Sequence, residues 1–204
     1  ALINLGYDNV LDDSVLTSNI NTVTSLDVSF NSIADVTGIE DFTALTFLNC
    51  STNVLTSLDV SQNTALTYLN CGYNPYISTL DVSTNTALTD LFCGANQLTS
   101  LDVSANTALT FLRCFGNQLT SLDVSQNTAL TFLSCFSNNL TSLDVSNNTA
   151  LTDLLCGMNQ LYTLDVSQNT ALSRLGCVDN LLTSLDLRNG NNTNLTVFNA
   201  TNNP

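Results

Sequence analysis

One sequence unit recurs along most of this chain, and its period constrains the fold more than any other feature. The stretch LTFLSCFSNNLTSLDVSNNTA, residues 130–150, is repeated before and after with few letters changed. The spacing between copies is 21 residues, apart from one step of 22 whose extra residue falls in YNPYIS, where Pro75 suits a loop. A fixed period of this length predicts a solenoid, in which each copy forms one coil and packs against its neighbours. The copies begin at Leu45, Leu66, Leu88, Leu109, Leu130, Leu151 and Leu172.

Each copy reads LxxLxCxxNxLxxLDVSxNTA, and its second half, LxxLxVxxN, echoes its first. This pattern resembles the leucine-rich repeat consensus LxxLxLxxN/CxL, in the 21-residue nested class of bacterial leucine-rich repeat proteins. The copy at 23–44 is similar to the 22-residue internalin-like type. The resemblance implies a right-handed solenoid of the α/β-horseshoe family that is mainly β, with parallel sheets on two walls and little helix beyond an N-terminal cap.

The same resemblance implies a domain organisation and a location. It divides the chain into a partial cap at 1–22, an internalin-like repeat at 23–44, seven repeats at 45–194 and an incomplete last repeat at 195–204. Similar mixed arrays occur in exported surface proteins of bacteria that use type IX secretion, so a secreted or cell-surface location is implied. We expect the chain to be a fragment of a longer precursor whose signal and sorting segments lie outside it.

The composition narrows the classes of function. The formal net charge is -14, with three Arg, no Lys and no His among 204 residues. Nucleic acid needs clustered cations to neutralise phosphate, so we predict no nucleic-acid partner. No run approaches the ~18 apolar residues of a membrane span, so we predict no membrane insertion. A repetitive rod without His offers no converging nucleophile, base or paired acids, and we predict that the chain is not an enzyme.

The cysteine-bearing half and the SLDVS half of each copy are both predicted to be strands, whose side chains alternate between inside and outside. In the copy at 130–150, Leu133 and Cys135 should point inward, and Phe132, Ser134 and Phe136 outward. In the second half of that copy, the inward residues should be Leu143 and Val145, and the outward residues Ser142, Asp144 and Ser146.

One cysteine per copy occupies an inward position where the consensus allows Leu. Neighbouring parallel strands place equivalent Cβ atoms ~4.8 Å apart, beyond the ~3.8 Å that a disulfide prefers, and seven is an odd number. No C-x-x-C pair or His accompanies the cysteines, which disfavours zinc. Buried reduced thiols are therefore predicted ahead of disulfides or metal. The seven are Cys50, Cys71, Cys93, Cys114, Cys135, Cys156 and Cys177.

Two columns of Asn are predicted to be structural, because an amide can satisfy turn backbone groups that sheet bonding leaves open. The first column contains Asn53, Asn74, Asn96, Asn117, Asn138, Asn159 and Asn180. The second contains Asn63, Asn85, Asn106, Asn127, Asn148 and Asn169.

An outward column of Asp places like charges at one-coil spacing, so something must offset their repulsion. Hydrogen bonds from Ser, Thr and backbone donors are one explanation, and a row of calcium or other cation sites is the alternative. The stretch with Asp8, Asn9, Asp12 and Asp13 is a weak calcium-loop match, because Val10 replaces an oxygen ligand. We predict no cofactor, with calcium left open. The column is Asp59, Asp81, Asp102, Asp123, Asp144, Asp165 and Asp186.

A binding face is predicted where the copies differ, because a position that serves only the coil has no reason to vary. The outward positions around each cysteine vary most, and five Phe residues fall there on three adjacent copies, with Arg113 among them. Aromatic residues and Arg are enriched at the energetic centres of protein interfaces. The predicted ligand-binding residues are Phe47, Tyr68, Phe92, Phe111, Arg113, Phe115, Phe132, Phe136, Leu155 and Met158.

The predicted function of this face is protein recognition or adhesion, with a protein or peptide as the partner. A polysaccharide is the second candidate, and flat rings with polar neighbours for it are Tyr68, Tyr73 and Tyr76 near Asn49 and Asn70. A purely structural alternative is that the rings pack on one another and stiffen the sheet. A passive, ice-binding-like rod is a further alternative, based on the column of Thr67, Thr89, Thr110, Thr131 and Thr152.

Overall fold

The computed structural model of the protein describes residues 6, 16–188, 190 and 194–204. Most of the predicted cap at 1–22, including the calcium-loop match at 8–13, lies outside the described residues. Within them, helix is limited to α1, Thr17–Ile20, and a 3₁₀ helix, Ile39–Asp41. The strands have three residues each and are β1 Ser25–Asp27, β2 Phe47–Asn49, β3 Tyr68–Asn70, β4 Asp90–Phe92, β5 Phe111–Arg113, β6 Phe132–Ser134, β7 Asp153–Leu155, β8 Thr163–Asp165, β9 Arg174–Gly176, β10 Ser184–Asp186 and β11 Val197–Asn199.

A parallel sheet of nine strands runs along one wall of the solenoid, in the order β1-β2-β3-β4-β5-β6-β7-β9-β11. Each coil contributes one strand, and equivalent residues of successive copies lie side by side. Leu112, for example, is in register with Leu91 on one side and Leu133 on the other. The predicted parallel-sheet solenoid with little helix is confirmed.

The second wall, formed by the SLDVS halves, contains a much smaller sheet than the first. Only β8 and β10 pair there among the described residues, with Leu164 in register with Leu185. In the copies from 45 to 150 the SLDVS half forms no strand, although it leads into the same tight turns as in the coil of β8. In one of them, the Asn63 N–H donates to the Val60 carbonyl at 3.0 Å, and the Leu66 N–H donates to the Asn63 carbonyl at 3.1 Å. The prediction of parallel sheets on two walls therefore holds, with the second sheet limited to two strands.

The interior is a continuous stack of Leu, Val and Cys side chains. In the coil at 109–129, Leu109, Leu112, Cys114, Leu119 and Val124 are fully buried. A single coil has no opposite layer, so each of these side chains is removed from water by the coils above and below it. At about 1.5–3 kcal/mol for each large apolar side chain, this stacking is the main stabilising term of the fold.

The first Asn column ties successive coils together through both ends of its amide. Asn117 Nδ2 donates to the carbonyls of Cys93 and Cys114, each at 3.0 Å, and Asn117 Oδ1 accepts the N–H of Leu98 at 3.0 Å. Equivalent bonds recur along the column, and Asn203 continues it in the last coil. The predicted structural role is thus accounted for in this column.

The second Asn column uses its amide nitrogen in the same way but not its amide oxygen. Asn127 Nδ2 donates to the carbonyls of Val103 and Asn106, each at 2.9 Å. Its Oδ1 is buried and accepts no hydrogen bond from the described residues. The two columns look alike in sequence but bind their neighbours differently. The same unpartnered oxygen is found in Asn63, Asn85, Asn106 and Asn148.

The residue before each Asn of the first column has a left-handed backbone conformation. Gly116 has φ 61°, and Ala95 and Met158 have φ 56° and 52°. This conformation costs a non-glycine residue about 1–2 kcal/mol, so most coils contain one strained residue at this rim of the sheet. Several of the side chains that it projects outward are large and apolar, namely Phe30, Tyr73 and Met158.

Candidate functional site

The outer face of the nine-stranded sheet presents two columns of side chains, from the first and third residue of each strand. The middle residue of each strand from β1 to β9 is a buried Leu, which points into the solenoid, whereas β11 has Phe198 there at 48% exposure. The sequence therefore needs only a three-residue strand to place two variable side chains per coil on one surface. All ten predicted site residues lie on this face or at its rim.

Five rings on this face stack into one continuous column, which we call the aromatic stack: Phe47, Tyr68, Phe92, Phe111 and Phe132. Phe111 and Phe132 are nearly parallel, with ring centroids 4.1 Å apart and an interplanar angle of 7°. Phe47 and Tyr68 are similarly stacked at 4.4 Å and 13°. These distances are typical of favourable aromatic pairs.

Phe92 closes what would otherwise be a gap in the stack. Its strand has Asp90 at the first position, in register with Tyr68 and Phe111, so this column has no ring there. Phe92 comes from the third position of the same strand, and its centroid lies 5.2 Å from that of Tyr68 and 5.3 Å from that of Phe111. The stack therefore spans five strands although the sequence column is interrupted.

Arg113 lies across the middle of the aromatic stack. Its guanidinium carbon is 4.9 Å from the Phe111 centroid, 5.0 Å from Phe132 and 5.5 Å from Phe92. All three distances are within the range of cation–π attraction. The guanidinium therefore contacts three rings of the aromatic stack at once.

The rings are less exposed than the sequence indicates. Five rings are half-buried rather than exposed, because each ring packs against another residue: Phe92, Phe111, Phe115, Phe132 and Phe136. Ser134 lies on the outer face, as its position in the strand predicts, but its neighbours cover it to 6% exposure. Its small side chain lies between the larger side chains of neighbouring strands. The contacts among the rings are those that the structural alternative predicts.

Phe115 and Phe136 follow their cysteines and lean in opposite directions, each over a glycine. A Cβ placed on Gly94 would lie 2.6 Å from Phe115 Cε1, so the ring occupies that space, and it also meets Tyr73 edge-on at 5.9 Å. A Cβ on Gly157 would lie 3.2 Å from Phe136 Cδ2. Glycine at these two positions therefore makes room for rings of the adjacent coil.

A groove of about 390 Å³ opens on the sheet face beside the aromatic stack, towards the C-terminal strands. Ser134 and Gly176, which are small, form a depression on either side of Leu155, whose Cδ2 leans over Gly176. Of the predicted residues, Leu155, Phe115 and Phe136 line the groove, while Met158 is 48% exposed at the rim. The remaining lining residues are Arg174, Leu175, Val178, Val197 and Asn199.

The site prediction missed part of this groove. Arg174 and Val178 occupy the same varying columns as the predicted residues, so their positions already indicated this face. Val197 and Asn199 belong to the last, incomplete copy, whose altered spacing hides the column in the sequence. β11 nevertheless pairs in register with β9, which places Asn199 opposite Gly176.

The three tyrosines predicted for polysaccharide binding do not form one site. Tyr68 is part of the aromatic stack, and burial raises its pKa. Tyr73 and Tyr76 are 56% and 57% exposed, beside the one-residue insertion. The Thr column of the ice-binding alternative donates its hydroxyls to backbone. Thr110 Oγ1, for example, donates to the Thr89 carbonyl at 3.2 Å.

The Asp column is stabilised by local hydrogen bonds. Asp123 Oδ1 accepts the N–H of Ser125 at 2.8 Å, and this bond helps to hold the pKa of Asp123 below its usual value. The same turn recurs in each copy of the column, from Asp59 to Asp186. No three Asp, Glu, Cys or His side chains of the described residues come together as ligands for a metal ion.

The seven thiols are free, fully buried and aligned along the interior, as predicted. Burial raises the pKa of Cys50 and of Cys135 to about 12. The thiolate is the reactive form of cysteine, so these thiols are chemically inert at neutral pH. They fill the core and do not contribute to the outer face.

Within the described part of the chain, no helix combines the length and apolar character needed to cross a membrane.

No protein-family model matches the chain. Internalin J of Listeria monocytogenes serotype 4b (strain F2365) is 52% identical over 52 residues, which are 26% of this chain and 6% of internalin J. Among solved structures, the functional domain of internalin J from Listeria monocytogenes, which includes a cysteine ladder, has a TM-score of 0.76 and 41% identity. That match covers 91% of this chain and 45% of the other, so the chain spans less than half of that domain.

Two more distant structures support the fold alone. A leucine-rich repeat protein of Leptospira interrogans has a TM-score of 0.83 at 23% identity, covering 92% of this chain and 51% of the other. Internalin C2 from Listeria monocytogenes has a TM-score of 0.80 at 21% identity, covering 100% and 90%. The predicted leucine-rich repeat fold is therefore confirmed, and the chain is similar to internalin-like leucine-rich repeat proteins with a cysteine ladder.

Proposed function

We propose that the chain is a non-catalytic protein-binding module that uses the outer face of its nine-stranded sheet. One observation carries the proposal: the residues that differ between copies gather on this face as the aromatic stack, Arg113 and the groove. Aromatic anchors beside an Arg and an apolar depression are the usual composition of an interface hot spot. The likeness to internalin-like proteins supports an interaction role.

The location that we propose is the bacterial cell surface or the exterior, where the module would act in adhesion. The resemblance of the mixed repeat array to exported proteins of bacteria with type IX secretion supports this location. The net charge of -14 is unfavourable for nucleic acid.

The proposal is tested by a binding screen of the chain against immobilised extracellular proteins and glycans. The test variant combines Phe111→Ser, Phe115→Ser, Phe132→Ser and Phe136→Ser. Loss of hot-spot rings predicts at least about tenfold weaker binding to any protein that the wild type captures. Equal binding by both chains contradicts the proposed face.

A matched control keeps this test specific. The variant with Tyr162→Ser and Leu181→Ser removes two exposed apolar side chains that lie off the sheet face, and it should bind like the wild type. Because the stacked rings are half-buried, circular dichroism must show that the quadruple variant is folded. If it is not, Phe136→Ser alone replaces it, since Phe136 lies outside the aromatic stack.

Polysaccharide binding is the second candidate, and the exposure of Tyr73 and Tyr76 favours a separate place for it. A Tyr73→Ser, Tyr76→Ser variant that loses glycan binding, while the quadruple Phe variant keeps it, would identify this second function. We continue to expect no cofactor, and an unfolding midpoint that rises with added calcium would oppose that expectation.

A further inference from the structure

The guanidinium of Arg113 is fixed in position but has no acceptor. It lies over three rings of the aromatic stack, and it donates no hydrogen bond and forms no ion pair with any described residue. An Arg side chain carries five N–H donors in a rigid fork that fits a carboxylate. Since none of these donors is bound to a described residue, they remain available to a partner.

Cations are scarce in this molecule, and their pairing with acidic residues differs between its two walls. The chain has 17 acidic residues and only three Arg, and two of those three lie on the sheet face. Arg188, on the opposite wall, pairs with Asp186 at 2.5 Å. The neighbouring acids Asp90 and Asp153 instead accept the hydroxyls of the adjacent threonines, at 2.7 and 2.8 Å.

The groove begins one strand away from Arg113. Ser134 is in register with Arg113 and lines the groove, and Leu155 is in register with Ser134. Strands lie ~4.8 Å apart, so the backbone of Arg113 is separated from Ser134 and Leu155 by roughly 5–10 Å. An extended chain advances ~3.3 Å per residue, so two side chains two or three residues apart would span this distance.

We propose that the partner of the sheet face is an extended polypeptide segment that bears a carboxylate two or three residues from a bulky apolar side chain. The carboxylate accepts hydrogen bonds from the edge of the Arg113 guanidinium, and the apolar side chain enters the groove between Phe136, Leu155 and Val178. This inference rests on the proposed function and specifies the chemistry of its partner. A carboxylate is favoured because both cations on the sheet face, Arg113 beside the groove and Arg174 in its lining, have no acidic partner among the described residues.

The test uses a random dodecapeptide library displayed on phage and selected on the whole chain. Enriched peptides should share an acidic residue two or three positions from Phe, Leu, Ile, Met or Trp. Synthetic copies are then titrated by fluorescence polarisation. We expect Arg113→Gln to weaken binding by about 10- to 100-fold, as for loss of a charge-assisted hydrogen-bond pair, and Arg113→Lys to restore only part of it.

Two controls separate this interaction from general electrostatics. Arg188→Gln removes the same charge from the other wall and should leave the affinity unchanged within about twofold. Replacing the peptide carboxylate by its amide should cost as much as Arg113→Gln, and the two changes together should cost no more than either alone. Additive losses would overturn the proposal.

Other outcomes distinguish the proposed partner chemistry from the proposed function. Enriched peptides without acidic residues, whose binding still needs Phe136, would overturn the carboxylate and leave the proposed function intact. Peptides that bind equally to the quadruple Phe variant, or no enrichment over an unrelated protein, would overturn both. Alginate oligosaccharides that bind through Arg113 when no peptide does would replace the polypeptide by an acidic polysaccharide and overturn the proposal.

Discussion

At the scale of single residues, the left-handed position before each first-column Asn is where side-chain identity and backbone conformation are in conflict. Only Gly116 among the 21-residue copies has the residue type that this conformation favours. Its neighbours Ala95 and Ser137 adopt φ 56° without that advantage. The position is retained because the Asn that follows must reach the carbonyls of two coils.

We predict opposite effects for two substitutions in adjacent coils. Gly116→Ala should lower the free energy of unfolding by about 1 kcal/mol, because an added Cβ at φ 61° is strained although no atom lies closer than 3.5 Å to it. Ala95→Gly should raise the free energy of unfolding or leave it unchanged. Urea unfolding measures both, and stabilisation by Gly116→Ala would contradict the assigned backbone conformation.

Single residues also show which features the sequence predicts and which depend on tertiary contacts. The inward position of the thiols could be predicted, because alternation along a strand and the Leu consensus agree. The exposure of the Phe rings could not, because it depends on which neighbour each ring leans on. Phe115 covers Gly94 and Phe136 covers Gly157, and both contacts join different copies.

At the scale of the repeated element, the two Asn columns satisfy different numbers of backbone groups, although both have one Asn per coil. The carbonyls that Asn127 binds, those of Val103 and Asn106, also accept a backbone N–H, at 3.0 and 3.1 Å. In the first column, Asn117 Oδ1 accepts the buried N–H of Leu98. Loss of an amide therefore leaves more buried backbone unpaired in the first column.

We predict that Asn117→Ala destabilises the chain more than Asn127→Ala does. Asn117→Ala should cost about 2–4 kcal/mol, because it leaves the buried N–H of Leu98 without an acceptor and removes one of the two amides that each of the Cys93 and Cys114 carbonyls binds. Asn127→Ala should cost about 1–2 kcal/mol, because it also removes a buried oxygen that accepts no hydrogen bond from the described residues. Equal losses in chemical denaturation would show that the two columns are equivalent.

The alternating pattern of the SLDVS segments predicts which side chains are buried but not which segments pair as strands. Period-two alternation in SLDVS is satisfied by an extended segment whether or not it pairs with its neighbour. Burial of Leu143 and Val145 was therefore predictable, while pairing was not. Among the described residues, only β8 and β10 pair on this wall. The sequence LYTLDVS of the β8 copy differs from LTSLDVS by two letters.

At the scale of the whole molecule, the aligned thiols link stability to alkaline pH. Burial raises the thiol pKa in the folded chain, to about 12 for Cys50 and Cys135 and to about 11 for Cys177. In the unfolded chain the thiols ionise near their ordinary value of 9.0. Above that pH the unfolded state loses protons that the folded state keeps, so stability is full below about pH 9 and declines as the pH rises towards the folded pKa values.

We predict a steep loss of stability between pH 9 and 11 in the presence of a reductant. Each thiol contributes up to about 1.4 kcal/mol per pH unit to the slope. Cys114→Val should reduce the slope by about that amount while changing stability little at pH 7, because Val is apolar and of similar size. Urea unfolding at a series of pH values tests this, and an unchanged slope in Cys114→Val would refute the linkage.

Each copy from 45 to 171 makes the same contacts with the preceding coil: a Leu in register, an Asn amide that donates to a carbonyl, and a Thr hydroxyl that donates to the backbone. A genetic duplication or deletion of one whole period therefore leaves each of these contacts intact, whereas a change of any other length misaligns them. Such proteins can lengthen or shorten by single coils during evolution. Each added coil supplies two further outer positions on which a new specificity can be selected.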